Sequence, residues 1–184
     1  MRDIARLPQA MTAARKTPAY PFMFPDDGTI PNNPSLPFVF YPRAFELSEW
    51  RDPAARVETI MRSNGWGRCW HDGIYPFPHY HPRIHEALVV ARGRAAIRFG
   101  GEHGETFDVE AGDAVVLPAG TGHQCLEASD DLIVVGAYPS EGTYDLCVGL
   151  RPEHERALVK IPGVKRPDSD PFFGRNGPLM QLWP

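Results

Sequence analysis

The sequence predicts a mainly β protein whose strands form a small barrel or jelly roll. Its length of 184 residues is ordinary for one domain. Glycine and proline are abundant, at 17 and 20 residues, which favours many turns between short elements. Between residues 68 and 138, about eight short apolar segments alternate with Gly-rich breaks, the spacing typical of barrels and jelly rolls.

Composition excludes several classes of protein. The net charge of −4 gives no basic excess for binding nucleic acid or an anionic membrane. No apolar run approaches the ~20 residues that span a bilayer. The N-terminus lacks the apolar stretch of a secretory signal, so we expect a cytoplasmic protein. Three cysteines without a CxxC pattern argue against a disulfide framework or a thiolate zinc site.

The chain is expected to form one domain with four successive parts. Prolines throughout the first part restrict it to extended segments and turns, with a short strand at Phe38–Tyr41. The predicted parts are a Pro-rich N-terminal arm packed on the barrel (1–47), a helix (48–65), the barrel core (66–140), and a C-terminal helix with a Pro-rich tail (141–184).

The first helix carries its own start and stop signals. Asp52 is a suitable N-cap and Pro53 suits the first helical position, while Gly65 can close the C-terminus. Residues Ala54, Val57, Ile60 and Met61 form an apolar stripe at helical spacing. A second, shorter helix is predicted over 151–160.

The barrel core is divided into strands by its turn residues. The predicted strands cover residues 68–71, 74–81, 86–92, 95–99, 106–109, 113–117, 123–127 and 131–138.

Histidines and one glutamate form a candidate metal site. His79 and His81 are two residues apart, so both imidazoles project from one face of the predicted strand 74–81. Glu86 begins the next strand, and His123 follows a turn about forty residues later. Imidazole and carboxylate ligands without thiolate suit one divalent transition metal, namely Fe, Mn, Ni, Zn or Co. Four such ligands on a six-coordinate metal would leave two positions open.

Two motifs in this region resemble those of the cupin superfamily. Gly73-x5-His79-x-His81-x4-Glu86-x6-Gly93 matches the first cupin motif, and Gly112-x5-Pro118-x-Gly120-x2-His123 matches the second through its histidine. Glu127 stands where the second motif usually has Asn, a departure at a structural position. The resemblance implies a single-domain, RmlC-like cupin barrel over about residues 66–140. It also implies the metal ligands His79, His81, Glu86 and His123.

The resemblance extends along nearly the whole chain to the YjlB-type branch of bacterial cupins, which has no assigned reaction. The segments that carry it are Asp27-Gly-Thr-Ile-Pro-Asn-Asn-Pro, Trp70-His-Asp-Gly-Ile-Tyr, Phe99-Gly-Gly-Glu, Val135-Gly-Ala-Tyr-Pro and Asp170-Pro-Phe-Phe-Gly.

One alternative ligand and four candidate pocket residues remain open. His85 competes with Glu86, because some cupins place the carboxylate one residue earlier, although strand alternation puts the two on opposite faces. Tyr75 and Phe77 share the alternation of His79 and could wall a substrate pocket. Arg83 could hold a carboxylate, or be a solvated surface residue. Cys125 could line the pocket, or be a small buried apolar residue.

We expect a metalloenzyme acting on a small polar molecule, of dioxygenase or oxidase, decarboxylase or isomerase type. The alternative is a non-catalytic cupin that binds or senses a small molecule. No second titratable pair marks a general acid or base, so the sequence leaves the reaction open. The predicted partners are this ligand and a second copy of the chain, paired through barrel edges.

Overall fold

A computed structural model describes residues 18–184, so residues 1–17 of the predicted N-terminal arm lie outside the described part. The mainly β fold is confirmed. Within this range the strands are β1 (Tyr20–Phe22), β2 (Phe38–Tyr41), β3 (Trp66–Asp72), β4 (Glu86–Arg92), β5 (Arg94–Phe99), β6 (Glu105–Glu110), β7 (Ala114–Leu117), β8 (His123–Ala128) and β9 (Ile133–Pro139). The helices are α1 (Pro53–Ser63), α2 (Arg151–Lys160), a 3-10 turn (Ile161–Gly163) and α3 (Leu179–Leu182).

The strands form two antiparallel sheets that face each other. A six-stranded sheet has the order β1-β2-β7-β4-β9-β3, and a three-stranded sheet has the order β6-β5-β8. Side chains from both sheets meet in one apolar core, in which Leu88 and Val115 pack with Ile97, Phe99 and Cys125. The enclosed interior is therefore a filled barrel core.

Strand β4 lies in the centre of the six-stranded sheet, and both of its faces are buried. Leu88 and Val90 point into the barrel core, whereas Ala87 and Val89 point into a second core outside the barrel. Because side chains alternate along a strand, the first residue of β4, Glu86, shares the inward face of Leu88 and Val90.

The outer core is covered by α1 and by the C-terminal segment. Helix α1 begins as predicted, with the Asp52 side chain accepting a hydrogen bond from the Ala55 amide and Pro53 in the first turn. Its apolar stripe buries Val57 and Met61 against the sheet. Burial of this stripe, more than intrinsic propensity, stabilises a helix of 11 residues.

The C-terminal segment is attached by a buried carboxylate. Asp170 is fully buried and accepts hydrogen bonds from the Tyr41 hydroxyl at 2.9 Å and from three backbone amides, those of Phe172, Phe173 and Leu179. Tyr41 belongs to β2, so these contacts join the end of the chain to the six-stranded sheet.

The predicted strand over 74–81 is wrong. Pro76 and Pro78 have no backbone N–H, so this segment cannot form a regular ladder. It bends at residues 76–77 and is attached at single points: the Cys125 amide donates to the carbonyl of Tyr75, and isolated bridges pair His79 with His123 and Tyr80 with Cys147. The neighbouring strand β4 occurs over the residues predicted for it.

Residues 18–184 contain no helix that is long and apolar enough to cross a membrane.

Candidate metal centre

Three histidines converge at one end of the barrel core. One ring nitrogen each of His79, His81 and His123 lies within 4.8 Å of the others, and no fourth residue joins this group by that criterion among the residues described. All three residues are buried, with whole-residue exposures of 3%, 5% and 4%. This spacing and burial are those of a site that could hold a metal ion.

Backbone hydrogen bonds hold the three residues together. His79 and His123 exchange amide–carbonyl bonds of 3.1 and 2.9 Å across their bridge. The amide of Gly120, in the turn before β8, donates to the carbonyl of His81 at 3.0 Å. The two motif segments, forty residues apart in sequence, are thereby fixed against each other.

Each imidazole also has one nitrogen held by a backbone carbonyl. Nδ1 of His79 faces the carbonyl of Phe77 at 3.1 Å, Nδ1 of His123 faces that of Thr121 at 3.4 Å, and Nδ1 of His81 faces that of Asp145. A carbonyl oxygen can only accept, so each Nδ1 carries the proton. The three Nε2 atoms therefore carry free lone pairs, which is the arrangement that metal-binding histidines require.

Glu86 lies beside these lone pairs. Its Oε2 atom is 3.6 Å from Nε2 of His81 and 3.4 Å from Nε2 of His123. Among the described residues this buried oxygen has no hydrogen-bond donor. A carboxylate oxygen facing unprotonated nitrogens is unfavourable by itself but suits a divalent cation between them. The donor set therefore fits a metal ion.

Burial disfavours the charged form of His79 and His123. It lowers the pKa of His79 to about 4, and it lowers the pKa of His123 well below its ordinary value with help from the neighbouring His79 and His81. Burial raises the pKa of Glu86, an effect that the neighbouring His81, Tyr138 and Trp70 oppose. Near neutral pH the imidazoles of His79 and His123 are thus free bases, as metal binding requires.

The cluster forms the inner wall of a cavity of about 340 Å³. Aromatic rings make up much of the remaining wall, and among the described residues no lysine or arginine contributes to it. The lining residues are Trp70, His71, Asp72, Gly73, Ile74, Tyr75, His79, His81, Glu86, His123, Tyr138 and Tyr144.

The four candidate pocket residues lie in different places. Tyr75 lines the cavity, and the centroid of its ring lies 5.2 Å from that of the His79 ring. Phe77 does not line the cavity. Its ring stacks on that of Tyr75 with a centroid distance of 4.9 Å, and the residue is 40% exposed. Arg83 is exposed and does not line the cavity. Cys125 packs in the barrel core, where burial raises the pKa of its thiol.

His85 lies on the other side of β4 from Glu86. Its Nδ1 atom accepts a hydrogen bond of 2.9 Å from the Ala119 amide, and its ring contacts Trp183 at 4.8 Å. The strand alternation that directs Glu86 inward directs His85 into the outer core. Of the two rivals, the structure thus brings only Glu86 to the histidine cluster.

Three aromatic residues of the cavity were not predicted from the sequence. Trp70 comes from β3 and Tyr138 from β9, while Tyr144 follows β9 and lies 5.0 Å from the ring of His81. None belongs to a metal motif. The pairing of β3 with β9, which the sequence does not specify, is what brings Trp70 and Tyr138 together.

The chain matches a known domain family and a known protein. Residues 71–135 match the cupin domain family model. The chain is 40% identical to the uncharacterized protein YjlB of Bacillus subtilis over 169 residues, covering 92% of this chain and 98% of YjlB.

Three of the solved structures that match the chain do so at low similarity. The Bacillus subtilis oxalate decarboxylase, which has Mn(II) centres, gives a TM-score of 0.34 at 18% identity; the match covers 61% of this chain and 22% of the decarboxylase. The TDP-fucose-3,4-ketoisomerase of Campylobacter jejuni gives 0.38 at 14% identity, covering 52% and 74% of the two chains. Acireductone dioxygenase of Bacillus anthracis gives 0.33 at 19% identity, covering 48% and 60%. By the YjlB relationship and the matching domain model, the chain belongs to the cupin superfamily, in the branch that contains YjlB.

Proposed function

We propose that this protein is a mononuclear metal-dependent enzyme that acts on a small polar molecule. One divalent transition metal, of the group Fe, Mn, Ni, Zn and Co, would be bound by His79, His81, Glu86 and His123. The reaction would be of dioxygenase or oxidase, decarboxylase or isomerase type.

The observation that carries the proposal is the orientation of the imidazoles. In each of the three histidines, Nδ1 is held by a backbone carbonyl, so the lone pair of Nε2 is directed away from that carbonyl. A histidine buried only for packing has no need of this common orientation. Glu86 adds a carboxylate oxygen without a donor at the same point, which supports a cation as the missing partner.

When bound, the metal would act as a Lewis acid toward a substrate oxygen or as the place where O₂ is activated. The chain's own residues would orient and enclose the substrate. Tyr75 and Tyr144, each 48% exposed, contact the rings of His79 and His81 and so flank the approach to the cluster. Buried Tyr138 carries a hydroxyl group in the same cavity.

The wall of the cavity supports a small substrate with an apolar face. A cavity of about 340 Å³ lies at the lower end of the range for small-molecule sites. Aromatic rings can stack on a flat ligand or a sugar ring. Arg83 does not line this wall, so we include no contact from Arg83 in the proposal.

Metal analysis tests the proposal, with a matched pair of variants. Purified protein, reconstituted with each metal in turn, should bind about one equivalent. His123→Gln should lose this binding, whereas His85→Gln should keep it, because His85 is buried one residue from Glu86 but faces the outer core. Less than about a tenth of an equivalent in the wild type, for every metal, would contradict a metal site.

Turnover separates the enzyme from a binding or sensing protein. The metal-loaded protein should be assayed for O₂ consumption, CO₂ release and isomerisation with a panel of small hydroxy acids, sugars and phenols. A compound that is consumed, with loss of turnover in His123→Gln, supports an enzyme. Thermal stabilisation by a compound without turnover under any condition would favour the non-catalytic alternative.

We also propose that the protein is a homodimer. Strand β1 forms one edge of the six-stranded sheet, and its first residue, Tyr20, is 49% exposed. Among residues 18–184 no further strand pairs with the outer side of β1, and such an edge can pair with the same edge of a second copy. Light scattering should give twice the chain mass of 20.5 kDa; a monomer mass would contradict this.

A further inference from the structure

Two residues outside the metal motifs form a hydrogen-bonded pair beside Glu86. The indole Nε1 of Trp70 donates to the hydroxyl oxygen of Tyr138 at 3.1 Å. Tyr138 is 5% exposed, and both residues line the cavity. The pair brings an indole N–H and a hydroxyl group next to a buried carboxylate. Packing alone does not explain this placement.

The sheet register places the pair against Glu86. Trp70 on β3 pairs with Gly136 on β9, and Ala137 on β9 pairs with Ala87 on β4. In an antiparallel ladder the next residues along, Tyr138 and Glu86, therefore lie opposite each other on one face. The side chains of Trp70, Tyr138 and Glu86 accordingly line the same cavity.

Gly136 makes this arrangement possible. A Cβ atom at this position would lie 2.0–2.3 Å from the indole ring of Trp70, so only glycine lets the ring cross the β9 backbone. Gly136 and Tyr138 are two residues apart on the strand and share a face. The indole that crosses Gly136 thus extends its N–H to the Tyr138 hydroxyl.

The donor and acceptor roles of Trp70, Tyr138 and Glu86 follow from the chemistry of their side chains. An indole N–H can only donate, so the Tyr138 oxygen is the acceptor and its own proton is directed elsewhere. Glu86 is the neighbouring acceptor, and a carboxylate has two oxygens. One of them, Oε2, faces His81 and His123 and has no donor among the described residues, which leaves the other for Tyr138.

We propose that Trp70 and Tyr138 are positioning residues that hold one oxygen of Glu86 and thereby present the other, Oε2, as a single-oxygen ligand to the metal. The proposal rests on the metal site proposed above. Hydrogen bonds to a ligand's second atom orient it and typically change metal affinity 10–100-fold. Gly136 belongs to the same device because it admits the indole.

Metal affinity of the full-length protein tests the proposal. Co(II) dissociation constants would be measured by competition with a chromophoric chelator for the wild type, Tyr138→Phe, Trp70→Phe and Gly136→Ala. We expect Tyr138→Phe to weaken binding about 10–100-fold and to change the Co(II) absorption spectrum. Trp70→Phe, which keeps the Tyr138 hydroxyl, should have a smaller effect in the same direction. Gly136→Ala, which displaces the indole, should weaken binding at least as much as Trp70→Phe.

Two matched controls separate positioning from loss of stability. Tyr41→Phe removes a hydroxyl that donates to the buried Asp170, away from the cavity. Trp66→Phe removes an indole N–H that donates to the carbonyl of Ser169. Both should leave Co(II) affinity and spectrum unchanged even where they lower the melting temperature.

The outcomes are distinguishable. If Tyr138→Phe binds Co(II) within twofold of the wild type while His123→Gln does not bind it, the positioning role is wrong and the metal site stands. If Tyr138→Phe and Tyr41→Phe weaken binding equally, the effect is one of general stability, and the positioning role is again wrong. If the wild type itself binds no metal, both proposals are overturned.

Discussion

Oε2 of Glu86 lies 3.4 Å from Nε2 of His123, inside the barrel, and both side chains are only 3% exposed. The histidine proton is on Nδ1, which faces a backbone carbonyl, so the two facing atoms are both acceptors. Such a contact costs free energy in the metal-free protein. The contact becomes favourable when a cation lies between the two atoms. Removing the carboxylate therefore tests the candidate site directly.

Replacement of Glu86 by Gln should therefore change stability and metal affinity in opposite directions. The metal-free variant should be more stable than the wild type by about 1 kcal/mol or more, because the Gln amide can donate to the imidazole nitrogen that Oε2 faces in the wild type. Its metal affinity should fall by more than about 100-fold, because an anionic ligand is lost. Urea unfolding in the presence of a chelator and a competition titration measure the two effects.

The exposed residue Glu105 on β6 provides the control for this comparison. Glu105→Gln changes the net charge by the same amount but should alter neither property. A Glu86→Gln protein that loses stability and keeps its affinity would show that the carboxylate has a structural partner and is not a ligand.

The metal-free protein should lose stability as the pH falls from about 7 to 4. Burial lowers the pKa of His85 to about 4 from the ordinary value of 6.5. Between these values the unfolded chain takes up a proton that the native protein does not, so the unfolded state is favoured increasingly as the pH falls. For this residue the loss between pH 8 and pH 5 should be about 2 kcal/mol.

His85→Gln isolates this contribution, because it removes one titrating group from the outer core and leaves the histidine cluster unchanged. The difference in unfolding free energy between pH 8 and pH 5, measured with a chelator present, should be smaller in the variant by about 2 kcal/mol. An unchanged difference would mean that His85 has the same pKa in both states.

The metal motif was predictable because its information is local. Alternation along an extended chain directs His79 and His81 to one side even though residues 74–81 do not form a regular strand. The assignment of Glu86 over His85 follows from the same alternation in β4. The strand predicted over 74–81 does not form, because Pro76 and Pro78 lack the backbone N–H groups that a ladder requires.

The rest of the cavity depends on pairing between distant strands. Trp70 and Tyr138 are 68 residues apart, and only the β3–β9 register brings them together. The predictions for Arg83 and Cys125 rest on local position: Arg83 lies in the turn between the ligand segments, and Cys125 shares the strand alternation of His123. The turn directs Arg83 to solvent, and Cys125 is two residues further into the barrel than His123, beyond the cavity.

Gly120→Ala should weaken both folding and metal binding. Gly120 has a φ of +94°, and a Cβ there would lie 2.4 Å from Ile161 Cδ1 and 2.8 Å from the carbonyl oxygen of Asn32. Alanine would be strained at this φ, and its amide would no longer be well placed for the bond to His81. A loss of about 1–3 kcal/mol in unfolding free energy should accompany a lower metal affinity.

Gly163→Ala is a suitable control for this variant, because a Cβ there meets nothing within 4 Å. Thermal melts and the chelator competition would be run on both proteins. Wild-type stability and affinity in Gly120→Ala would mean that the turn before β8 can adjust without moving His81 or His123.

The buried hydrogen bonds of Asp170 should make the C-terminal segment essential for stability. Tyr41→Phe removes one of four donors to this carboxylate and should cost about 1.5–3 kcal/mol, the usual value for a hydrogen bond to a charged group. Asp170→Ala should cost more, because three backbone amides and the Tyr41 hydroxyl would all lose their acceptor. In the Asp170→Ala background, Tyr41→Phe should have little further effect, since its partner is already absent. Urea unfolding of the two single variants and the double variant measures this coupling, and additive losses would show that Tyr41 and Asp170 stabilise the protein independently.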